Sequence, residues 1–108
     1  MSNSAPLLER AIEAHKGGRF EDAEGAYRRV LELRPDDPDA LNFFGMLQCQ
    51  TARPAEAAEL LRRSVEVDPA NAHAWINLGN VLVTLEKDQE ALQAFTKYTL
   101  SLHDALPI

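Results

Sequence analysis

The sequence repeats itself every 34 residues, and that period decides what the chain can fold into. Displaced by one period, Leu7, Leu41 and Trp75 fall in one column, Ala11, Gly45 and Gly79 in a second, and Ala23, Ala57 and Ala91 in a third. Tyr27, Leu61 and Phe95 form a fourth column, and Arg29, Arg63 and Lys97 a fifth, after which the match stops. A period of this size marks an array whose units bury their apolar faces only by stacking on one another. Three units in 108 residues make one small domain with a modest core.

Each unit reads as two helices joined by a short turn. In the second copy Asp37 is the N-cap and Pro38 the first helical residue, where a missing N–H costs nothing. Leu41, Phe44, Gly45, Leu47 and Gln48 follow at three- and four-residue spacing, and this helix ends near Thr51. Pro54 opens the second helix, whose buried stripe runs from Ala57 to Val67 before Asp68-Pro69 stops it. The third copy repeats the plan with Asn71 as cap, and the first closes at Pro35. Ala11, Gly45 and Gly79 leave room for Tyr27, Leu61 and Phe95, a knob-and-hole match across an antiparallel helix pair. Gly18 lies in the turn, where a positive φ is wanted; Ala52 and Glu86 take its place in the later copies, so the turn is tolerant or slightly strained there.

The spacing Trp75-x2-Leu78-Gly79, then Ala91-x3-Phe95, with Pro35 and Pro69 closing the earlier copies, resembles the tetratricopeptide repeat. That resemblance implies an all-α fold, a right-handed α-solenoid of about three helix-turn-helix repeats over 4–37, 38–71 and an incomplete 72–97. It further implies that the first helix of each repeat, helix A, lines a concave groove that binds a peptide or partner protein. The family's groove positions fall here on Asn42, Met46, Cys49 and Gln50, and on His73, Asn77, Asn80 and Thr84. Asn77 matches an asparagine that forms peptide-binding ladders in some relatives, but Glu9 and Phe43 replace it in the other copies. Relatives that clamp a terminal carboxylate use Lys and Arg, where this chain has Leu8, Ile12, Phe43, His73 and Asn77, so no such clamp is expected.

Other function classes find little support. The net charge of -6 argues against nucleic acid, which needs clustered cations. No apolar run reaches the roughly 18 residues of a membrane span, and the N-terminus lacks a secretory pattern, so a cytoplasmic location is the expectation. Cys49 is alone, and no metal-ligand spacing or phosphate loop occurs, so neither metal nor cofactor is expected. His15 and Cys49 lie one repeat apart, as do Asp39 and His73; the first pair reads as packing rather than a nucleophilic couple, the second as an exposed ion pair. Charged runs such as Glu56 to Arg63 read as solvated helix faces.

Beyond Lys97 apolar and polar positions swap: Leu100 meets Glu32 and Glu66, and His103 meets Pro35 and Pro69. The segment 98–108 resembles the translation of a sequencing-library adapter, and the expectation is that it is a non-native tail and the native product continues differently. Leu100, Leu102 and Leu106 are the residues with which it could still cap the array, whereas an uncapped end would promote self-association. Two functional readings follow. The chain is a non-catalytic protein-binding module, or it is the N-terminal repeat segment of a larger bacterial enzyme such as a glycosyltransferase or sulfotransferase.

Overall fold

The computed structural model describes residues 4–105, with side chains over 6–102. Six helices follow one another: α1 (Ser4–Lys16), α2 (Phe20–Leu33), α3 (Pro38–Gln50), α4 (Pro54–Val67), α5 (Ala72–Thr84) and α6 (Asp88–Ala105). They pack as three antiparallel pairs, α1 with α2, α3 with α4 and α5 with α6. No strand occurs among the described residues.

The starts and stops are chemical. The Asp37 carboxylate accepts from the backbone N–H groups of Asp39 and Ala40, both at 3.1 Å, and Asn71 accepts from that of Ala74 at 3.3 Å. Pro38 and Pro54 each occupy the first turn of their helix. Each A helix ends in the same hydrogen-bonded turn, with Arg19 N–H donating to Ala14 O, Arg53 to Gln48 O and Lys87 to Leu82 O, at 2.8 to 2.9 Å. That closure needs one left-handed residue, and the three are Gly18 at φ 77°, Ala52 at 62° and Glu86 at 59°. Glycine adopts this conformation freely, whereas a Cβ costs about 1 kcal/mol or more there.

Packing within each pair follows the small-to-large columns. A Cβ placed on Gly45 would lie 2.7 Å from Leu61 Cγ, and one on Gly79 would overlap the ring of Phe95. Tyr27, against Ala11, is fully buried. The core forms two apolar clusters, and both draw on more than one repeat. Leu60 of α4 joins the cluster built on α1, α2 and α3, and Ala57, Leu61 and Val65 join that built on α5 and α6. No unit encloses its own core, which is why the array must stack to be stable.

Stacking is uneven, and the unevenness gives the molecule its faces. Helix α3 packs on α1 and α5 on α3, whereas no comparable packing joins α2 to α4 or α4 to α6 among the described residues. The A side is therefore the narrower one, and α1, α3 and α5 form the inner face of the bend. On the outer side the gaps are spanned by side chains. Arg28 bonds Glu24 on its own helix at 2.8 Å and Glu56 on α4 at 3.0 Å, with its guanidinium 4.9 Å above the Phe44 ring. One repeat on, Arg62 grips Glu90 through two bonds of 2.8 and 2.9 Å. The run from Glu56 to Arg63 is thus not simply a solvated face: two of its residues of opposite sign, Glu56 and Arg62, join successive repeats. Hydrogen bonds from Arg28 hold the Glu24 carboxyl below its ordinary range, with the Arg53 charge adding to the effect, and those from Arg62 do the same to Glu90.

Helix α6 continues without a break through Lys97 to Ala105. In its added turns Leu100 is 50% and Leu102 43% exposed, so these two leucines supply only a partial apolar cap. Leu106 lies outside the described residues.

Candidate functional site

The inner face is built by three parallel helices of one design, so its side chains recur in rows. Two cross-helix hydrogen bonds set how the rows mesh. Asn77 donates from Nδ2 to Asn42 Oδ1 at 3.1 Å, and His15 donates from Nε2 to Gln50 Oε1. Both pairs are separated by 35 residues, one more than the period. The offset is geometric: parallel copies meet front to back, so a residue faces a different position on the next helix, not its own equivalent. His15 therefore meets Gln50, and the expected His15–Cys49 neighbourhood does not form a bonded pair. Asp39 and His73 are both exposed and make no ion pair among the described residues.

His15 is held at two atoms. Its Nδ1 bonds the Tyr27 hydroxyl at 2.9 Å while Nε2 serves Gln50, so both ring nitrogens are engaged. Its ring meets Phe20 and Tyr27 edge-on, with centroids 5.9 and 5.8 Å apart. Burial pushes the Tyr27 phenol well above its ordinary range, so it remains a hydrogen donor at any ordinary pH. With both nitrogens engaged, His15 is a structural member of the groove floor rather than a base beside Cys49.

Two cavities open on this face. The first, of about 380 Å³, lies between the C-terminal end of α1, the start of α2 and the middle of α3, with Ile12, Phe43 and Met46 among its walls. Phe20, 36% exposed, forms its outer lip, and Lys16 stands beside it. The second, of about 180 Å³, lies between α3 and α5 and is lined by Met46, Cys49, Gln50, Leu61, Asn77 and Asn80. Met46 and Gln50 border both.

The positions named by the sequence separate on this geometry. Met46, Cys49, Gln50, Asn77 and Asn80 come together around the second cavity. Asn42 is only 5% exposed and its oxygen is taken by Asn77, so it braces α3 against α5 from within. His73 lies at the exposed start of α5, and Thr84 at its exposed end bonds its own helix at Asn80 O, 3.3 Å away. Sequence reasoning missed Phe20 and Lys16, which sit at the edge of the groove rather than on its central row. No cluster of His, Cys, Asp and Glu able to hold a metal occurs among the described residues, and none of the described helices is long and apolar enough to cross a membrane.

Comparison with known proteins agrees with this architecture. A family profile described as tetratricopeptide repeat matches residues 8–63 and again residues 44–105. The human Protein O-mannosyl-transferase TMTC3 is 33% identical over 96 residues, which is 89% of this chain and 10% of that protein. Among solved structures, a mutant O-GlcNAc transferase of Thermobaculum terrenum is 33% identical and superimposes with a TM-score of 0.86, over 97% of this chain and 21% of its own. The second TPR of Spaghetti (RPAP3), bound to the HSP90 peptide SRMEEVD, gives a TM-score of 0.86 over 90% of each chain; at 21% identity the likeness is one of fold. This chain thus spans only a small part of the two transferases it matches.

Proposed function

Because the chain belongs to the tetratricopeptide repeat family, we propose that it is a non-catalytic interaction module that binds a peptide segment of a partner protein along the inner face of α1, α3 and α5. The observation that carries this reading is the pair of cavities on that face, bordered by Met46 and Gln50 and floored by apolar side chains. Exposed amides at Gln50 and Asn80 and the half-buried amide of Asn77 can donate to and accept from an extended backbone without reading its sequence. The groove candidates of this reading are Met46, Cys49, Gln50, Asn77 and Asn80, with His73 and Thr84 at its margin. The likeness to a peptide-bound repeat domain supports the same use of the fold.

A random peptide library displayed on phage and selected on the full chain tests the reading. Met46→Glu, which puts a charge on the ridge between the two cavities, serves as the comparison. Selected peptides should bind the parent chain and lose binding to Met46→Glu. Peptides that bind both equally, or a selection that enriches nothing, count against it.

A second reading has its own support, for both relatives at 33% identity are named as glycosyl-transferring enzymes and are far longer than this chain. On it, the same groove presents protein substrates or partners to a catalytic domain elsewhere in a longer product. The genomic sequence downstream of the codon for Lys97 separates the two, and also tests the proposal that residues 98–108 are not native.

A further inference from the structure

The two cavities of the inner face are one cavity built twice. Displaced by one repeat, Ile12, His15, Lys16, Phe43 and Met46 of the first become Met46, Cys49, Gln50, Asn77 and Asn80 of the second. Position is conserved between the two while chemistry is not. In the first, Ile12, Phe43, Met46 and the lip residue Phe20 make an apolar chamber. Lys16 is its one formally charged lining residue and makes no ion pair among the described residues. In the second, Gln50, Asn77 and Asn80 stand where the first has Lys16, Phe43 and Met46, while Met46 and Leu61 keep part of the lining apolar, and the volume falls from about 380 to about 180 Å³.

We propose that the groove selects an extended segment with three features: a large apolar side chain for the first cavity, a carboxylate beside it for Lys16, and an amide or hydroxyl side chain three residues away for the second. This rests on the groove reading above and adds the class of ligand. The apolar side chain follows from the chamber, whose only histidine has both nitrogens already bonded and offers carbon edges. The carboxylate follows from local charge complementarity, since Lys16 lines the first chamber and makes no ion pair among the described residues. The amide follows from the second chamber, where the side-chain amides of Gln50, Asn77 and Asn80 stand beside the apolar Met46 and Leu61 and offer partners to an amide or hydroxyl that reaches them.

The spacing follows from the architecture. Adjacent packed helices lie about 8–10 Å apart, so equivalent chambers are separated by about that distance. A polyproline-type segment advances about 9 Å in three residues and returns to the same side, which matches. A pleated strand returns to one side after two residues, about 6.6 Å, or four, about 13 Å, and fits neither chamber pair.

The test uses the full chain and two capped, fluorescein-labelled peptides, Gly-Glu-Phe-Pro-Pro-Asn-Gly and the same residues in reverse order, read by fluorescence anisotropy. One of the two orders should bind saturably. Replacing its Phe by Ala should weaken binding about 10-fold or more. Replacing its Glu by Gln, or Lys16→Ala in the protein, should each weaken it about 3-fold and flatten its salt dependence, and Lys16→Arg should restore both. Lys16 is exposed, so these variants leave the fold intact. The inference is overturned if neither order binds, if the Phe replacement or Lys16→Ala leaves affinity unchanged, or if the peptide gains helical circular dichroism on binding. The phage selection keeps its failure distinct from that of the groove reading: groove-dependent peptides without the apolar, acidic and amide pattern sink this inference alone, and an empty selection sinks both.

Discussion

Three glycines inside helices give one substitution three environments, and Gly→Ala should change sign among them. Replacing an interior helical Gly by Ala stabilises by about 1 kcal/mol when nothing else changes, because Ala restricts the unfolded chain and shields the backbone. Gly25 in α2 is that case, since a Cβ there meets nothing within 4 Å. Gly45 is the opposite case. Its Cβ would sit 2.7 Å from Leu61 Cγ, 3.0 Å from Leu61 Cδ2 and 3.4 Å from Ala57 O, so a fully buried leucine must move. Overpacking of this kind costs about 1–3 kcal/mol, which offsets or outweighs the propensity gain and leaves Gly45→Ala destabilised by up to about 2 kcal/mol. Gly79→Ala meets three atoms of the Phe95 ring in a deeper overlap, which the half-buried ring relieves only in part, so it too should be destabilising. Urea titration followed by far-UV circular dichroism reads all three. The double variant Gly45→Ala/Leu61→Ala should fall well short of the sum of its parts, because the truncated side chain vacates the overlapped space. A Gly45→Ala variant as stable as Gly25→Ala, or strict additivity in the double variant, would refute the knob-and-hole account.

The remaining expectations are shorter. Ala52→Gly and Glu86→Gly should each stabilise the chain by about 0.5–1 kcal/mol in the same titration, since both residues hold a left-handed φ that glycine adopts without strain. Glu24 and Glu90 titrate lower when folded than when unfolded. The stability they supply is therefore present above the unfolded carboxylate value of 4.5 and lost as pH falls through the lower folded value, and Arg62→Gln should flatten this acid limb. Tyr27 titrates higher when folded, so stability should fall as pH rises past 10.0, and Tyr27→Phe should remove that alkaline loss. Ending the chain after Thr99 should cost no more than about 3 kcal/mol in the urea titration, because Leu100 and Leu102 are each only about half buried.

Much of the fold was legible because it is written three times. The columns of small and large residues located every helix pair, and Asp37, Asn71, Pro38 and Pro54 located helix starts without knowledge of the third dimension. Gly18 revealed the turn conformation that Ala52 and Glu86 share. What the columns could not give was the meshing of one repeat with the next. Aligning a chain with itself places His15 opposite Cys49, but two copies of one helix meet front to back, so the contact is with Gln50. The outer braces were missed for a related reason. Arg28 with Arg62, and Glu56 with Glu90, recur at the repeat spacing and could have been noticed, yet periodicity alone does not say that each Arg reaches the following Glu. The groove was legible as a row of positions and illegible as two chambers, because Phe20 and Lys16 enter it from the ends of helices, where the helical pattern fades.

The central claim, that this array binds a peptide along α1, α3 and α5, is tested most directly by amide chemical-shift mapping of the labelled chain with the best phage-selected peptide. Saturating shifts should centre on Phe43, Met46, Gln50, Asn77 and Asn80 and leave the outer helices α2, α4 and α6 largely silent beyond Phe20 and the cavity-lining Leu61. Shifts centred instead on the outer face, around Arg28, Glu56 and Leu92, would contradict it.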